Sequence, residues 1–490
     1  MSISDNTIAP RDAAWREELR QSHSAKERTA IPRVKMPELD AAYRVTTCSE
    51  EVNQGLGEEQ AVIEARRCLD CPDPQCTTGC PVGINIPGFI KNIERGDFAQ
   101  AASVLKETSA LPAVCGRVCP QEKQCESRCI YHKMKKQPVA IGYLERFAAD
   151  RERLSGNHTV PVKAPANGIK VAVVGSGPAG LSFAGDMAKR GFAVTVYEAL
   201  HEIGGVLKYG IPEFRLPNAV VDVEIDGLKA LGVEFVRNCV VGKTLSYEDL
   251  HALGYKGVFV ASGAGLPRFM GIPGENFIGV LSSNEYLTRV NLMGAGREGW
   301  DTPVLRGKRV AVIGGGNTAM DSVRTARRMG ADRAMIVYRR SEDEMPARIE
   351  EVKHAKEEGV EFLTLNNPVE YLADEKGRVR AMRLQRMELG EPDESGRRSP
   401  VPIEGAIDEI EVDMVIVSVG VSPNPLIPSS IEGLEVSRRG TIVVSEESMR
   451  SSMPDLYAGG DIVRGGATVI LAMGDGRRAA AGMASALVQQ

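Results

Sequence analysis

Lys170-Val-Ala-Val-Val-Gly175-Ser-Gly177-Pro-Ala-Gly180 is a short β-branched run that ends in a glycine turn. A helical pattern follows to about Arg190, and Ala193–Tyr197 reads as the next strand, closed by Glu198. The plan is repeated from Lys308: KRVAVI, then Gly314-Gly-Gly316-Asn317-Thr318-Ala319, a helix to about Met329, and the strand RAMIVYRR. Alternation of strand, glycine turn and helix predicts parallel sheets of the α/β class. In both copies the motif follows a strand and opens a helix. There the glycines let the backbone approach a pyrophosphate whose charge rests at the helix N-terminus. Ala319 replaces the third glycine, a change this fingerprint tolerates.

The ends of the second strands separate the two ligands. Glu198 stands where an acid accepts hydrogen bonds from ribose hydroxyls and repels a 2′-phosphate. The second copy has Tyr338-Arg339-Arg340 there, and two guanidinium groups suit a 2′-phosphate, which points to NADP(H). The alternative for these arginines is a solvated charge patch.

Eight of the ten cysteines lie between Cys68 and Cys129. One group is Cys68, Cys71, Cys76 and Cys80; the other is Cys115, Cys119, Cys125 and Cys129. Thiolates this dense, on backbone broken by Gly and Pro, suit soft metal ions or iron–sulfur clusters. Structural zinc is the alternative, but it usually takes two paired CxxC knuckles, which neither group supplies. Cys239 stands alone beside the first glycine unit, so a disulfide reductase with a redox cysteine pair is disfavoured.

The length of 490 residues suggests roughly three domains, and a net charge of −5 gives no sign of nucleic-acid binding. No apolar run is long enough for a membrane span, and the polar N-terminus lacks the core of a secretion signal. A cytoplasmic setting is expected, where clustered cysteines bind metal more often than they pair. The expected layout is an arm at 1–56, a helical cysteine domain at 57–154 and a linker at 155–168. A first nucleotide region at 169–300, an inserted one at 301–420 and a completing segment at 421–490 follow. The arm is read as helical pieces, with Trp15 and Leu19 on one face and a partner subunit to pack on; a partly disordered tail is the alternative. A surface excursion is expected at 388–405.

Leu456-Tyr-Ala-Gly-Gly-Asp461 resembles the second flavin-contacting motif of two-dinucleotide-domain flavoproteins, whose aspartate binds the ribityl chain. VFVASG (258–263) and MVIVSVG (414–420) resemble their domain-crossing strands. With LPAVCGRVCPQEKQCESRC, GIPEFRLP, GGGNTAMD, VYRR and YAGGDIVRG, the chain resembles the small (β) subunit of NADPH-dependent glutamate synthase from about Glu58 onward. The same module is found in dihydropyrimidine dehydrogenase, in the large subunit of NADH-dependent ferredoxin:NADP oxidoreductase and in sulfide dehydrogenase-like proteins.

This resemblance implies FAD, NADP(H) and two [4Fe–4S] clusters with ligands taken crosswise. One cluster would use Cys68, Cys71, Cys76 and Cys129. The other would use Cys80, Cys119, Cys125 and Glu145, with Cys115 left over; for Glu145 an ordinary salt bridge is the rival. FAD would be held by Gly175, Gly177, Gly180, Glu198, Gly205, Arg215 and Asp461, although Gly205 could serve only a turn and Arg215 only a surface acid. NADP(H) would be held by Gly314, Gly316, Asn317, Thr318, Ala319, Arg339 and Arg340. The implied activity is electron movement between NADP(H), FAD and the clusters, to or from a partner in a hetero-oligomer. That partner is a glutamate synthase large subunit or, alternatively, a ferredoxin-, NADH- or hydrogenase-linked subunit of a bifurcating complex. Cofactors would carry the chemistry, so no acid–base triad is expected. Nothing resembles an FMN-bearing synthase domain, and Met1-Ser2 with its first cysteine at Cys48 excludes a glutaminase of the N-terminal-cysteine type.

Overall fold

The computed structural model describes residues 8–156, 159–394 and 396–488. The first seven residues of the expected arm, residues 157–158 of the expected linker, residue 395 of the expected excursion and the last two residues lie outside them. Two five-stranded parallel sheets form the frame. The first runs Leu456–Ala458, Gly257–Val260, Lys170–Val174, Ala193–Tyr197, Glu234–Val236. The second runs Val280–Ser282, Met414–Val417, Arg309–Ile313, Arg333–Tyr338, Glu361–Thr364. Helices cover one face of the second sheet and strands Asn366–Ala373 and Val379–Pro392 the other, and central strands such as Gly257–Val260 and Met414–Val417 are buried at every residue. That is why they read as continuous apolar runs rather than as alternation.

Chain order shows the nesting. Leu456–Ala458 closes the first sheet beside Gly257–Val260, after the whole second sheet has been laid down. Between the sheets Leu266–Pro267 pairs antiparallel with Val421–Ser422, so the outgoing and returning connections lie side by side. Val280–Ser282, ahead of the expected insertion start at 301, is already hydrogen-bonded into the second sheet. No sequence pattern set that three-residue strand apart, because it depends on Met414–Val417 for its place. The excursion at 388–405 is the distal half of an antiparallel hairpin, Val379–Pro392 with Arg398–Glu411, built on strand Asn366–Ala373.

Five helices form most of the cysteine region: Glu58–Arg66, Ile86–Glu94, Phe98–Thr108, Pro112–Val118 and Ile141–Ser155. Ile86–Glu94 has Pro87 in its first turn and Asn85 accepting from the Gly88 N–H, a start that proline favours. Ala61, Phe89, Ile93, Val104, Leu105, Val114 and Leu144 carry all five into a common core. The arm folds on this same chain. Its helices Ala14–Ser22 and Ala25–Ala30 lie against the cysteine region, with the Arg95 guanidinium 4.0 Å from the Trp15 ring centre.

The closing helix Val469–Val488 packs on Pro178–Lys189, the helix opened by the first glycine turn, and the Ser182 hydroxyl donates to the Met473 carbonyl at 3.0 Å. A Cβ on Gly180 would sit 2.0 Å from the Gly175 carbonyl oxygen, so turn and helix close only with hydrogen there. At Gly177 a Cβ would meet nothing within 4 Å. Gly180→Ala is therefore expected to lower the unfolding free energy by about 1–3 kcal/mol. Gly177→Ala should leave stability unchanged while weakening dinucleotide retention. Denaturant melts with flavin absorbance on the same samples check both.

Candidate functional site

The first glycine turn is made by φ +105° at Gly175, where a side chain would also strike the Ala261 carbonyl. Glu198, buried at the end of its strand, accepts from the Ser176 N–H at 2.9 Å and the Leu200 N–H at 2.8 Å. It thereby ties the loop to the strand end expected to meet a ribose. Gly205 packs on Gly177, a Cβ there lying 3.0 Å from the Gly177 Cα. Asp461 opens the short helix Asp461–Arg464 and accepts from the Ala467 N–H; burial raises its carboxyl above the usual range. The turn before it is fixed by Asp475, fully buried, which accepts from the Gly460 N–H and from Arg464. Asp475 lies outside any local motif, and its role is visible only once the closing helix returns. The space beside Gly177, rimmed by Gly205 and the Glu198 strand end, is what a pyrophosphate and ribose would fill.

Arg215, expected among the flavin contacts, reaches the second nucleotide domain. Its guanidinium is engaged by Asp321 at 2.8 Å and by Glu351 at 3.4 Å, both on helices of the second nucleotide domain. Proximity of GIPEFRLP to the glycine turn in sequence pattern did not reveal this, because both acids lie beyond residue 320.

The second glycine turn repeats the first, with φ +141° at Gly314 against the Ser418 carbonyl. Gly316 caps the helix Asn317–Arg328, Thr318 is exposed and Ala319 is buried. Asn317 Oδ1 accepts from the Arg348 N–H at 2.9 Å, so the segment after Met345 lies over this turn. The expected arginine pair is divided. Arg340 is buried and held by the hairpin, bonding Asp393 at 2.5 Å and the Arg398 carbonyl at 2.8 Å. Arg339 is exposed and has no hydrogen bond or ion pair among the described residues.

The cysteines fall into two neighbourhoods. Burial raises the Cys76 thiol, and Cys68, Cys129 and Cys71 add to the rise. Burial likewise raises Cys125, with Glu126, Cys80, Glu145 and Cys119 adding to it. Cys80 is pushed up to about 11, mainly by burial, with Glu145 and Cys119 contributing. Cys115 is fully buried, shares a hydrogen bond with Cys119 and lies 3.4 Å from the Met473 sulfur.

Glu145 is not on an exposed helix face, as its salt-bridge rival required. It is 5% exposed, its Oε1 has no hydrogen-bond partner, and burial followed by Glu224 pushes its carboxyl up to about 8. A buried acid beside buried thiols, with no cation against it among the described residues, fits a metal-borne positive charge. Four thiolates on one zinc stand about 3.8 Å apart, given Zn–S bonds of about 2.3 Å. Among the described residues only Glu38, His354 and Glu357 bring three ligand atoms within 4.8 Å, and Arg44 and Lys353 already pair with those acids. The wider spread of the sulfurs suits a multinuclear cluster.

Sequence reasoning missed the clamp on the first group. Asp70, between Cys68 and Cys71, is fully buried with φ +51°. Arg16 and Arg20 of the arm pair with its carboxylate, and Arg11 donates to its carbonyl at 3.1 Å. Arg33 likewise holds Glu126, next to Cys125, at 2.9 Å. The arginine-rich arm was the available signal, but its acidic targets could not be chosen without the fold.

Two dinucleotide folds nested in one another, joined to a cysteine domain, define a pyridine-nucleotide-linked iron–sulfur flavoprotein. Residues 169–476 match the pyridine nucleotide-disulphide oxidoreductase family, and residues 44–157 match dihydropyrimidine dehydrogenase domain II, 4Fe-4S cluster. The small chain of NADPH glutamate synthase from Escherichia coli is 37% identical over 88% of this chain and 93% of its own length. The chain belongs to that glutamate synthase small-chain family. The β subunit of the NADP(+)-dependent formate dehydrogenase of Moorella thermoacetica is 39% identical over 83% of this chain, which spans only 59% of that relative. FprA from Mycobacterium tuberculosis, solved with NADPH, shares the fold at a TM-score of 0.55 and 20% identity, over 66% of this chain and 85% of its own. No helix of the described residues is long and apolar enough to cross a membrane.

Replacing Arg16 and Arg20 together by Ala leaves a buried Asp70 without its two guanidinium partners. Iron and acid-labile sulfide are expected to fall from about eight toward about four of each per chain, with the second group's cluster retained. Metal and sulfide analysis of anaerobically purified protein checks this.

Proposed function

We propose that the chain passes electrons between NADP(H) and a partner subunit, with FAD and two [4Fe–4S] clusters between them. The observation that carries this reading is the graded burial of the two cysteine groups. Cys119, Cys125 and Glu145 are buried, and Cys115 and Pro81 of that region abut Met473 and Gly474 on the closing helix of the flavin domain. Cys80 is half-buried, and in the other group Cys68 is buried while Cys71, Cys76 and Cys129 are half-buried. An inner group facing the flavin domain and an outer group facing solvent make a path with an exit.

Cys68, Cys71, Cys76 and Cys129 would hold the outer cluster; Cys80, Cys119, Cys125 and Glu145 would hold the inner one. Cys115 would remain a thiol. With its cofactors bound the chain has hydride chemistry at the nicotinamide and flavin and single-electron chemistry at the clusters. Residues of the chain position and insulate. Glu198 and Asp461 would orient the ribose and ribityl hydroxyls of FAD, and the Gly175–Gly180 turn would cradle its pyrophosphate. Gly314, Gly316, Asn317, Thr318 and Ala319 would do the same for NADP(H). Arg339 would receive the 2′-phosphate, and Arg340 would brace the strand end from behind through Asp393. Arg215 would keep the two nucleotide domains in register through Asp321 and Glu351.

A glutamate synthase large subunit is the partner favoured by the E. coli relative, whose length this chain nearly spans. The rival reading, the NADP(H)-linked core of a different electron-transfer complex, has the likeness to a formate dehydrogenase subunit behind it and is not the one the relatives as a set favour. Co-purification with flavin analysis of the partner separates them: an FMN-bearing synthase supports the first and a dehydrogenase or ferredoxin-linked subunit the second.

The isolated chain is expected to reduce an artificial dye far faster with NADPH than with NADH. Arg339→Ala should erode that preference by about ten- to a hundredfold, the worth of one charge-assisted bond, whereas Arg340→Ala should act mainly on stability. Equal rates with both nucleotides in the unaltered protein would sink the 2′-phosphate assignment. Cys115→Ser should keep both clusters, while Cys119→Ser should lose the inner one, read by iron content and low-temperature EPR.

A further inference from the structure

The outer cysteine group ends at Cys129, and the chain from there carries an unusual surface. Arg128-Cys129-Ile130-Tyr131-His132-Lys133-Met134-Lys135-Lys136 has four formal positive charges and no acid, in a chain of net charge −5. Its 3-10 turn, Ile130–Met134, is anchored from beneath. The buried Tyr131 donates to the Arg67 carbonyl at 2.6 Å, and Lys136 donates to the Thr29 carbonyl. What faces outward is unattached. Arg128, Lys133 and Lys135 are exposed, and their side chains make no hydrogen bond or ion pair among the described residues. Ile130 and Met134 are 41% and 38% exposed among them. Nothing inside the protein requires this combination.

We infer that the Arg128–Lys136 turn is the docking surface for a one-electron carrier protein with an acidic face, placed at the outer cysteine group. This rests on the proposed relay, and it names where the relay opens and what charge its partner presents. Three features of this surface support it. The surface contains a half-buried member of the outer group, Cys129. Its charge opposes that of the chain as a whole, so an acidic partner is drawn here and repelled elsewhere. Small apolar centres within a charged rim suit the brief, low-area encounters of electron carriers, in which charges steer and orient. The exchange is balanced as two reduced carriers plus NADP⁺ and one proton giving two oxidised carriers and NADPH, or its reverse.

The test uses the cofactor-loaded full chain and an acidic plant-type [2Fe–2S] ferredoxin as the probe. Lys133→Glu with Lys135→Glu reverses two side chains that hold nothing in the fold; Lys133→Arg with Lys135→Arg is the conservative control. Ferredoxin binding, measured by calorimetry at low salt, is expected to weaken at least about tenfold in the first variant and to persist in the second. Binding to the unaltered protein should fall steeply as salt rises, since the contacts are exposed. NADP⁺ reduction by reduced ferredoxin should follow binding, whereas NADPH-dependent dye reduction and the cluster EPR signals should be unchanged. Equal binding by the charge-reversed variant, or none by the unaltered protein, overturns the docking surface while leaving the relay standing. Failure of NADPH to produce any reduced-cluster EPR signal in the unaltered protein overturns the relay and the docking surface with it.

Discussion

Buried charge that must be matched governs how this protein is assembled. Glu358, 3% exposed at the end of a helix in the second nucleotide domain, receives Arg44 from the arm and Arg324 and Arg328 from the adjoining helix. Arg324 also pairs with Glu351, which reaches Arg215 of the flavin domain, and Phe214 lies beneath the Arg324 and Arg328 guanidiniums. Removing one member of such a set strands a charge out of water, at a cost of about 3–5 kcal/mol. Opposing charges hold Glu358 and Glu351 ionised, with the Glu351 carboxyl down at about 2 despite complete burial. Three parts of the chain, distant in sequence, are thus pinned to one arrangement by a need none could meet alone.

The same constraint, left unmet, marks the inner cysteine group. Among the described residues no ion pair reaches Glu145, and burial followed by Glu224 raises its carboxyl. An ionised Glu145 and thiolates at Cys80, Cys119 and Cys125 need positive charge from something other than a side chain. The arm supplies it indirectly at the outer group, where Arg16 and Arg20 neutralise Asp70 and hold its left-handed backbone between two cysteines. Arm and cluster loops are therefore one structural unit, although they are separate in the chain.

Local chemistry was readable in advance where it is carried by neighbours in sequence. The glycine turns, their helices, Glu198 and the two cysteine groups all follow from short motifs with mechanical reasons. Arg340 shows the limit: beside Arg339 it looks equivalent, yet past the strand end at Tyr338 Arg339 is exposed and Arg340 is buried against the hairpin at Asp393. The ion pairs of Arg215 were hidden because its partners Asp321 and Glu351 belong to a domain that follows later in the chain. The arm's role was invisible because arginines in a polar segment name no target until the acids they neutralise are buried nearby.

The sequence by itself determined the class of fold, the two dinucleotide sites and the thiol-rich domain, because backbone geometry and ligand softness act over a few residues. Tertiary structure alone decided which cysteines are inner and which are outer, that Glu145 is buried without a partner, and that the arm clamps Asp70. Those outcomes depend on solvent exclusion and charge matching, and both are properties of surfaces that exist only after distant segments have packed together.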